Sequence, residues 1–123
     1  MVVLVVEDDA DSRAMIDQML HLEGFVPVIA ANGEEALLLL KAGLPAKAIL
    51  LDLMMPTMDG WTFRRAQRND AAISHIPVII ISAVAYLPQD ELAASAVFSK
   101  PLDLDALVGE LRRLCLNRPG SDE

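Results

Sequence analysis

Two short apolar runs of this sequence are each followed directly by carboxylates. Residues 2–6 lead into Glu7-Asp8-Asp9, and residues 48–51 lead into Asp52. Carboxylates held together repel one another, so the arrangement costs free energy unless a cation lies among them. Hard oxygen ligands with room for water suit Mg²⁺ better than a transition metal. These residue types therefore predict a Mg²⁺ site if the fold brings the two acidic segments together.

A hydroxyl and an ammonium group follow two later apolar runs. Residues 78–81 end at Ser82, and residues 97–98 lead through Ser99 into Lys100. A nucleophilic carboxylate, a charge-neutralising metal and two donors for phosphoryl oxygens would together form a phosphoryl-transfer site. Each of Ser82 and Lys100 is a weak signal alone, but in this order they reinforce one another.

Some of the acidic residues also have a structural interpretation. The acids after the first run could simply cap a helix, and for Asp9 and Asp11 capping explains the residue as well as function does. Capping explains Asp52 poorly, because Asp52 directly follows a fully apolar run and precedes a loop made rigid by Pro56. We therefore take Asp52 as the candidate nucleophile.

The order of the apolar segments predicts the fold that would position these groups. The strand-like runs are residues 2–6, 25–30, 48–51, 78–81 and 97–98. The first four are too hydrophobic to have a water-facing side, which is typical of a parallel sheet covered by helices on both faces. The alternation with helical segments predicts an α/β fold with a doubly wound, five-stranded parallel sheet. In such sheets ligands gather at the carboxyl ends of the strands.

Helical signals lie between these runs. A helix over residues 11–23 ends at Gly24, and Asn32 can cap a second helix. A third begins at residue 59 or 60, and Asp103 can cap the last. The helix over residues 11–23 carries an apolar stripe that is expected to be buried, with Met15 as ordinary core. The members of this stripe are Met15, Ile16, Met19, Leu20 and Leu22.

Length and composition exclude several other classes of protein. With 123 residues the chain predicts one domain over residues 1–117, followed by a flexible tail over 118–123. The net charge of −8 opposes direct binding to nucleic acid or to an anionic membrane. The absence of a basic leader and of a long apolar run predicts a cytoplasmic protein. The single cysteine, Cys115, is expected to be a packed thiol.

Four motifs resemble the receiver domains of bacterial response regulators, the phosphorylated partners of two-component systems. They are Val-Val-Glu-Asp-Asp at 5–9, Leu-Leu-Asp-Leu-Met-Met-Pro-Thr-Met-Asp-Gly at 50–60, Ser-Ala at 82–83 and Lys-Pro at 100–101. The resemblance covers nearly the whole chain. It implies the flavodoxin-like (βα)5 fold of that family, with strand order 2-1-3-4-5, and a signalling switch that is not a turnover enzyme.

The resemblance implies a metal-binding role for the acidic positions. Asp52 would accept the phosphoryl group and bind Mg²⁺, and Asp8 would be a direct ligand of the ion. Glu7 would act on the ion directly or through water. The backbone carbonyl of Met54 would be a further ligand.

The resemblance also implies how the phosphoryl group is held and delivered. Ser82 would be the switch hydroxyl and Lys100 the phosphoryl-binding lysine, with a cis bond between Lys100 and Pro101. The donor would be a histidine kinase or a histidine phosphotransfer protein. It would dock along the first helix and nearby loops, with Asp11, Met15 and the Pro101 loop as candidate contacts. An output domain or partner protein would receive the signal, with no direct contact to nucleic acid or membrane.

The sequence departs from the family's pattern before the last strand. Lys100 follows Ser82 by 18 positions, fewer than usual, so the fourth helix of the pattern should be short or irregular. The family's aromatic switch residue lies three positions before the lysine, where this chain has Val97. Phe98 is offset by one and should face the other side of the sheet. The usual coupling between the hydroxyl and an aromatic rotamer is therefore not expected in its ordinary form.

A second departure predicts a long-lived phosphorylated state. The residues two positions beyond Asp52 and Ser82 are Met54 and Val84, and neither can orient a water molecule for attack on an acyl phosphate. We expect slow self-dephosphorylation, and faster decay in Met54→Asn or Val84→Glu. The decay of phosphorylated protein after removal of the donor measures this, and unchanged decay in both variants would contradict it.

Two other functions are compatible with an α/β fold of this kind. One is an interaction domain that works without phosphorylation, against which the set Asp8, Asp52, Ser82 and Lys100 argues. The other is an enzyme, such as an aspartate-nucleophile phosphatase or a flavodoxin-like redox protein. Such phosphatases use a second aspartate where this chain has Met54, and no Gly-rich or Ser/Thr-rich loop follows the first strand to hold FMN.

Overall fold

A computed structural model of the chain describes residues 1–52, 60–82, 95–99 and 103–116. Five strands form one parallel sheet in the order β2-β1-β3-β4-β5. The strands are β1 (Val2–Val6), β2 (Val26–Ala30), β3 (Ala46–Asp52), β4 (Val78–Ser82) and β5 (Ala96–Ser99). The predicted doubly wound α/β fold and its strand order are confirmed.

Four helices lie within the described ranges, and none of them has the length and hydrophobicity needed to cross a membrane. They are α1 (Ala10–Leu22), α2 (Gly33–Lys41), α3 (Gly60–Arg68) and α4 (Leu104–Leu116). The fourth helix of the family's pattern, which was predicted to be short or irregular, and the tail predicted over residues 118–123 lie outside the described residues.

Side chains recognised in the sequence cap two of these helices. Asn32 Oδ1 accepts a hydrogen bond from the backbone N–H of Glu35 at 2.9 Å, and Asp103 Oδ1 accepts one from Ala106 N–H at 3.1 Å. Each bond satisfies an N–H that has no partner inside the helix. After α1, Gly24 has a φ of 89°, a conformation that favours glycine. The predicted starts and stop are confirmed.

The sheet is buried on both faces, and successive residues of its central strands face opposite layers. α2 and α3 cover one face, and α1 and α4 cover the other. The first layer includes Leu4, Val6, Leu40, Ile49, Leu51, Phe63 and Ile80. The second includes Val3, Val5, Ile16, Leu20, Leu50, Ile81, Leu107, Leu111 and Cys115. The predicted burial of Cys115 is confirmed.

Neighbouring residues of β5 pack in different layers. Val97 packs against the layer that contains Phe63, whereas Phe98 packs against the layer that contains Leu107. This is the alternation expected of a strand. The prediction that Phe98 faces the other side of the sheet from the usual switch position is confirmed.

The predicted apolar stripe of α1 is only partly buried. Ile16 and Leu20 are fully buried, but Met15 is 44% exposed and Leu22 is 78% exposed. The prediction that Met15 belongs to the core was wrong. Ile16 and Leu20 lie along the line of contact with the sheet, and Met15 is about 100° around the helix from Ile16. The apolar residues of α1 therefore span more of its surface than the sheet covers.

The edge strand β2 also differs from the prediction that none of the first four strands has a water-facing side. Val26 is 50% exposed, and the next three residues are only partly buried. An edge strand has a neighbour on one side only, so its side chains are less covered than those of a central strand. Phe25, which was included in the predicted strand, is buried just before it.

Candidate functional site

The pairing of β1 with β3 places the two acidic segments at the same edge of the sheet. Val6 is the register partner of Leu51. Glu7 and Asp52 are the next residues along each chain segment, so they lie side by side where the strands end. The acidic residues that follow the two apolar runs therefore lie together at the carboxyl edge of the sheet, where ligands bind in folds of this kind.

Three carboxylates meet at this edge. One oxygen atom from each of Glu7, Asp8 and Asp52 lies within 4.8 Å of the others. Glu7 is 1% exposed and Asp52 is 4% exposed, whereas Asp8 is exposed to solvent. The structure therefore brings together the three side chains predicted as metal ligands. Two buried carboxylates beside an exposed one fit a hard cation that keeps part of its water shell.

Hydrogen bonds after β1 show that the neighbouring acids Asp8 and Asp9 have different roles. The Asp9 side chain accepts a hydrogen bond from Ser12 N–H at 2.8 Å and caps α1. Asp9 N–H in turn donates to Glu7 Oε2 at 3.2 Å, while Glu7 Oε1 is buried from solvent. Capping is therefore the structural role of Asp9, and Asp8 contributes its carboxylate to the cluster.

The pairing of β4 with β3 and β5 locates the backbone of Ser82, one of the two predicted phosphoryl-binding residues. Ile81 is level with Asp52 on one side and with Phe98 on the other, so the backbone of Ser82 lies one step beyond the level of Asp52. Ser82 ends β4 as predicted, and its partner in the register is Ser99. The Ser82 side chain is not among the described parts of the chain.

The remaining predicted site residues lie outside the described residues. They are Met54, whose carbonyl was assigned to the metal, Val84, Lys100 and Pro101. Lys100 directly follows the last residue of β5, Ser99.

One buried polar pair was not predicted from the sequence. Gln67 on α3 is fully buried and donates from Nε2 to the carbonyl oxygens of Ile73 at 2.9 Å and Ile76 at 3.1 Å. Its Oε1 accepts a hydrogen bond from Arg64 Nη1 at 2.6 Å. The spacing of these residues could have indicated the pair, because Phe63, Arg64 and Gln67 lie on one face of the helix and Phe63 is an apolar residue suited to the core.

Comparison with known proteins identifies relatives along almost the whole chain. The family model described as the response regulator receiver domain matches residues 3–112. An uncharacterized 14.6 kDa protein of Leptolyngbya boryana is 34% identical over 95% of this chain and 92% of its own length. The response regulator Rre1 of Synechocystis is 31% identical over 98% of this chain. The response regulator PleD of Caulobacter vibrioides is 34% identical over 91% of this chain. This chain spans only 54% of Rre1 and 25% of PleD.

Solved structures have the same architecture. The receiver domain of the Francisella response regulator 1452 has a TM-score of 0.86 at 28% identity, covering 94% of this chain and 97% of that one. The receiver domain of a sensor histidine kinase from Pseudomonas aeruginosa, solved with a magnesium ion coordinated in its active-site cleft, has a TM-score of 0.83 at 25% identity. This second likeness covers 93% of this chain and 96% of that one.

Proposed function

Because this chain belongs to the response regulator receiver domain family of two-component systems, we propose that it is a Mg²⁺-dependent switch that is phosphorylated on Asp52. The observation that carries the proposal is the position of Asp52. Asp52 is 4% exposed and is the last residue of a central strand. Its carboxylate lies in a cluster with the carboxylates of Glu7 and Asp8. A lone structural aspartate would not need two further acids beside it, since their mutual repulsion destabilises the fold.

Phosphoryl transfer at this site uses Asp52 as the nucleophile. A carboxylate oxygen of Asp52 forms a bond to the phosphorus of a phosphohistidine as the bond from phosphorus to the imidazole nitrogen breaks. The products are an acyl phosphate on Asp52 and a free histidine on the donor. Phosphorylation changes the charge and the contacts at this edge of the sheet, and this change is the switch. The chain itself is the acceptor of the phosphoryl group, so it is a signalling switch and not a turnover enzyme.

The residues that would hold the metal are Asp8 and Asp52 as direct ligands, with Glu7 acting directly or through water. The Met54 carbonyl would be a further ligand. Bound Mg²⁺ supplies positive charge that neutralises the carboxylates and the phosphoryl oxygens. The solvent-exposed position of Asp8 leaves one side of the cluster open to water and to the incoming phosphoryl group. The magnesium-bound receiver from Pseudomonas aeruginosa supports this assignment.

We assign Ser82 and Lys100 to the phosphoryl oxygens. Ser82 ends the strand beside β3, and Lys100 is the residue that follows Ser99, the end of β5, in the sequence. We expect both groups to reach the edge of the sheet at which Asp52 lies. A hydroxyl and an ammonium group there would stabilise the charge on the transferring group.

The proposal is tested with a small-molecule acyl phosphate as donor, which removes the need for a cognate kinase. Intact-mass measurement is expected to reveal a single phosphoryl adduct that forms with Mg²⁺ and fails to form when the metal is chelated. Folded protein that gains no adduct under either condition would overturn the proposal and favour an interaction domain that works without phosphorylation.

Magnesium is expected to stabilise the folded chain through the same cluster. At a Mg²⁺ concentration about ten times Kd, the gain in the free energy of unfolding is about 1.4 kcal/mol. In Asp8→Asn this gain should be lost, while the metal-free variant should be more stable than the metal-free wild type, because one repelling charge is removed. Thermal unfolding with and without chelator measures both effects.

The matched control for this prediction is Asp11→Asn. Asp11 is an exposed acid in the first turn of α1 and lies outside the cluster, so this variant changes the net charge equally. It should keep the whole response to Mg²⁺. An equal loss of the response in both variants would mean that the ion acts through general charge screening.

A histidine kinase or histidine phosphotransfer protein would donate the phosphoryl group, and an output domain or partner protein would receive the signal. The exposed Met15 on α1 is an apolar contact available to such a donor. Met15→Glu is expected to slow transfer from the phosphorylated donor about tenfold or more, without slowing phosphorylation by a small-molecule acyl phosphate.

Leu38→Glu provides the comparison for Met15→Glu. Leu38 is 67% exposed on α2, so the same charge is placed on another helix. Rates of transfer from the donor should be unchanged in this variant. If Leu38→Glu slows transfer as strongly, or if Met15→Glu also slows the small-molecule reaction, α1 is not the docking surface.

A further inference from the structure

A cavity of about 520 Å³ opens at the amino ends of β3, β4 and β5. Its lining includes Lys47 near the start of β3, Pro77 just before β4 and Ser95 just before β5. Asp52 lies at the other end of β3, and seven residues of strand span about 20 Å. The cavity is therefore separate from the carboxylate cluster.

The charge of this cavity is opposite to that of the chain. The whole sequence has 18 acidic residues and 10 lysines and arginines. The described lining nevertheless contains three of those ten, Lys47, Arg64 and Arg113, together with His75, and no aspartate or glutamate. Arg113 also pairs with Glu110 on its own helix, and this bond raises the pKa of Arg113. A concentration of basic side chains in an acidic protein favours an anionic ligand.

One of these cations is held in place by the fold. Arg64 is only 7% exposed, and Gln67 fixes its guanidinium by accepting the 2.6 Å bond from Nη1. Gln67 is itself anchored by the carbonyl oxygens of Ile73 and Ile76. Burial lowers the pKa of Arg64, and the nearby charge of Arg68 lowers it further. Arg64 therefore contributes a guanidinium of fixed position to the lining of the cavity.

Besides the basic groups, the lining contains two serines, Ser74 and Ser95, and four apolar residues. Ile76, Pro77 and Leu114 contribute hydrocarbon surface next to the basic groups. A volume of about 300–1,000 Å³, with polar groups placed beside apolar walls, is typical of small-molecule sites. Arginine in such a site binds phosphate oxygens through two parallel hydrogen bonds.

We propose that this cavity binds a small organic phosphate, with its phosphate oxygens on Arg64, Lys47 and Arg113 and its organic body on the apolar wall. The site gives the domain a second ligand at the edge of the sheet opposite the carboxylate cluster. Recognition requires both the anionic group and the organic body.

Three probes separate these requirements, all titrated in the presence of chelator so that metal binding at the carboxylate cluster does not contribute. ADP carries both parts, pyrophosphate only the anion and adenosine only the organic body. We expect saturable binding of ADP, with pyrophosphate and adenosine each weaker by about tenfold or more. If pyrophosphate binds as tightly as ADP, the proposal that the organic body is recognised is wrong. If adenosine binds as tightly as ADP, the proposal that the anionic group is recognised is wrong.

The two histidines of the chain report where the probe binds. His75 lines the cavity, whereas His21 lies on α1 and contacts Asp17. In proton NMR the ring signals of His75 are expected to shift with ADP and those of His21 to stay in place. Shifts of both signals, or of neither, would overturn the location.

Variants test which charges matter. The double variant Lys47→Gln and Arg113→Gln should weaken ADP binding by about tenfold or more. Arg65→Gln removes an exposed charge of α3 outside the lining and should change it less than about twofold. Asp52→Asn should leave it unchanged. Equal weakening in Arg65→Gln would mean general electrostatic attraction, and loss in Asp52→Asn would place the probe in the carboxylate cluster; either result would overturn the proposal.

Discussion

Replacement of Asp52 by asparagine is expected to abolish phosphorylation by an acyl phosphate in the presence of Mg²⁺. The amide of asparagine has no anionic oxygen to attack phosphorus, and it also removes one carboxylate from the group proposed to bind the metal. Loss of a covalent nucleophile lowers a rate by at least about a thousandfold. Intact-mass measurement over time, on wild type and variant under the same conditions, gives this ratio.

The same variant should remain folded, which makes the result interpretable. Asp52 is 4% exposed and asparagine has nearly the same shape, so the substitution leaves no cavity. In the absence of metal the variant is expected to be more stable than wild type, since the repulsion of Asp52 with Glu7 and with Asp8 is removed. Asp11→Asn controls for the change in net charge and should be phosphorylated at the wild-type rate. Full phosphorylation of Asp52→Asn would show that another residue is the acceptor.

The largest expected loss of stability comes from the layer between α3 and the sheet. Phe63 is fully buried and belongs to the layer that contains Leu51, the residue before the proposed acceptor. Phe63→Ala is expected to lower the free energy of unfolding by about 3–5 kcal/mol, through lost burial and the cavity left behind. That is a large part of the total stability of about 5–15 kcal/mol typical of a domain. Urea unfolding with metal chelated measures the difference.

Leu38→Ala is the control for Phe63→Ala. Leu38 is also a large apolar residue on a helix of this face of the sheet, but it is 67% exposed. Its truncation should change the free energy of unfolding by less than about 0.5 kcal/mol. Similar losses in the two variants would contradict the burial assigned to Phe63.

The fold could be predicted because its strongest determinants are local in the sequence. Central strands of a parallel sheet are buried on both faces, so they appear as uninterrupted apolar runs such as residues 48–51. Asn32 and Asp103 satisfy backbone groups within three residues of themselves, and this makes helix starts visible in the sequence. The carboxylate cluster followed from the same logic, because Glu7 and Asp52 each come directly after such a run.

The features that could not be predicted depend on contacts between distant segments. The sequence does not specify how much of α1 the sheet covers, so Met15 and Ile16 look equally suited to the core, although only Ile16 is buried. The choice between Asp8 and Asp9 as helix cap depends on the backbone angles of Asp9. The basic cavity at the amino ends of the strands is lined by residues as far apart in the sequence as Lys47 and Leu114. No local sequence pattern indicates that such residues lie together.

The most direct test of the phosphorylation switch is to locate the modification in the chain. Wild-type protein is treated with an acyl phosphate and Mg²⁺, then reduced with borohydride, which converts an aspartyl phosphate to homoserine. Peptide mass spectrometry is expected to find homoserine at position 52 only, and only when Mg²⁺ was present. Homoserine at Asp8 or Asp9, or a phosphoryl group on a histidine with position 52 unmodified, would contradict the proposed function.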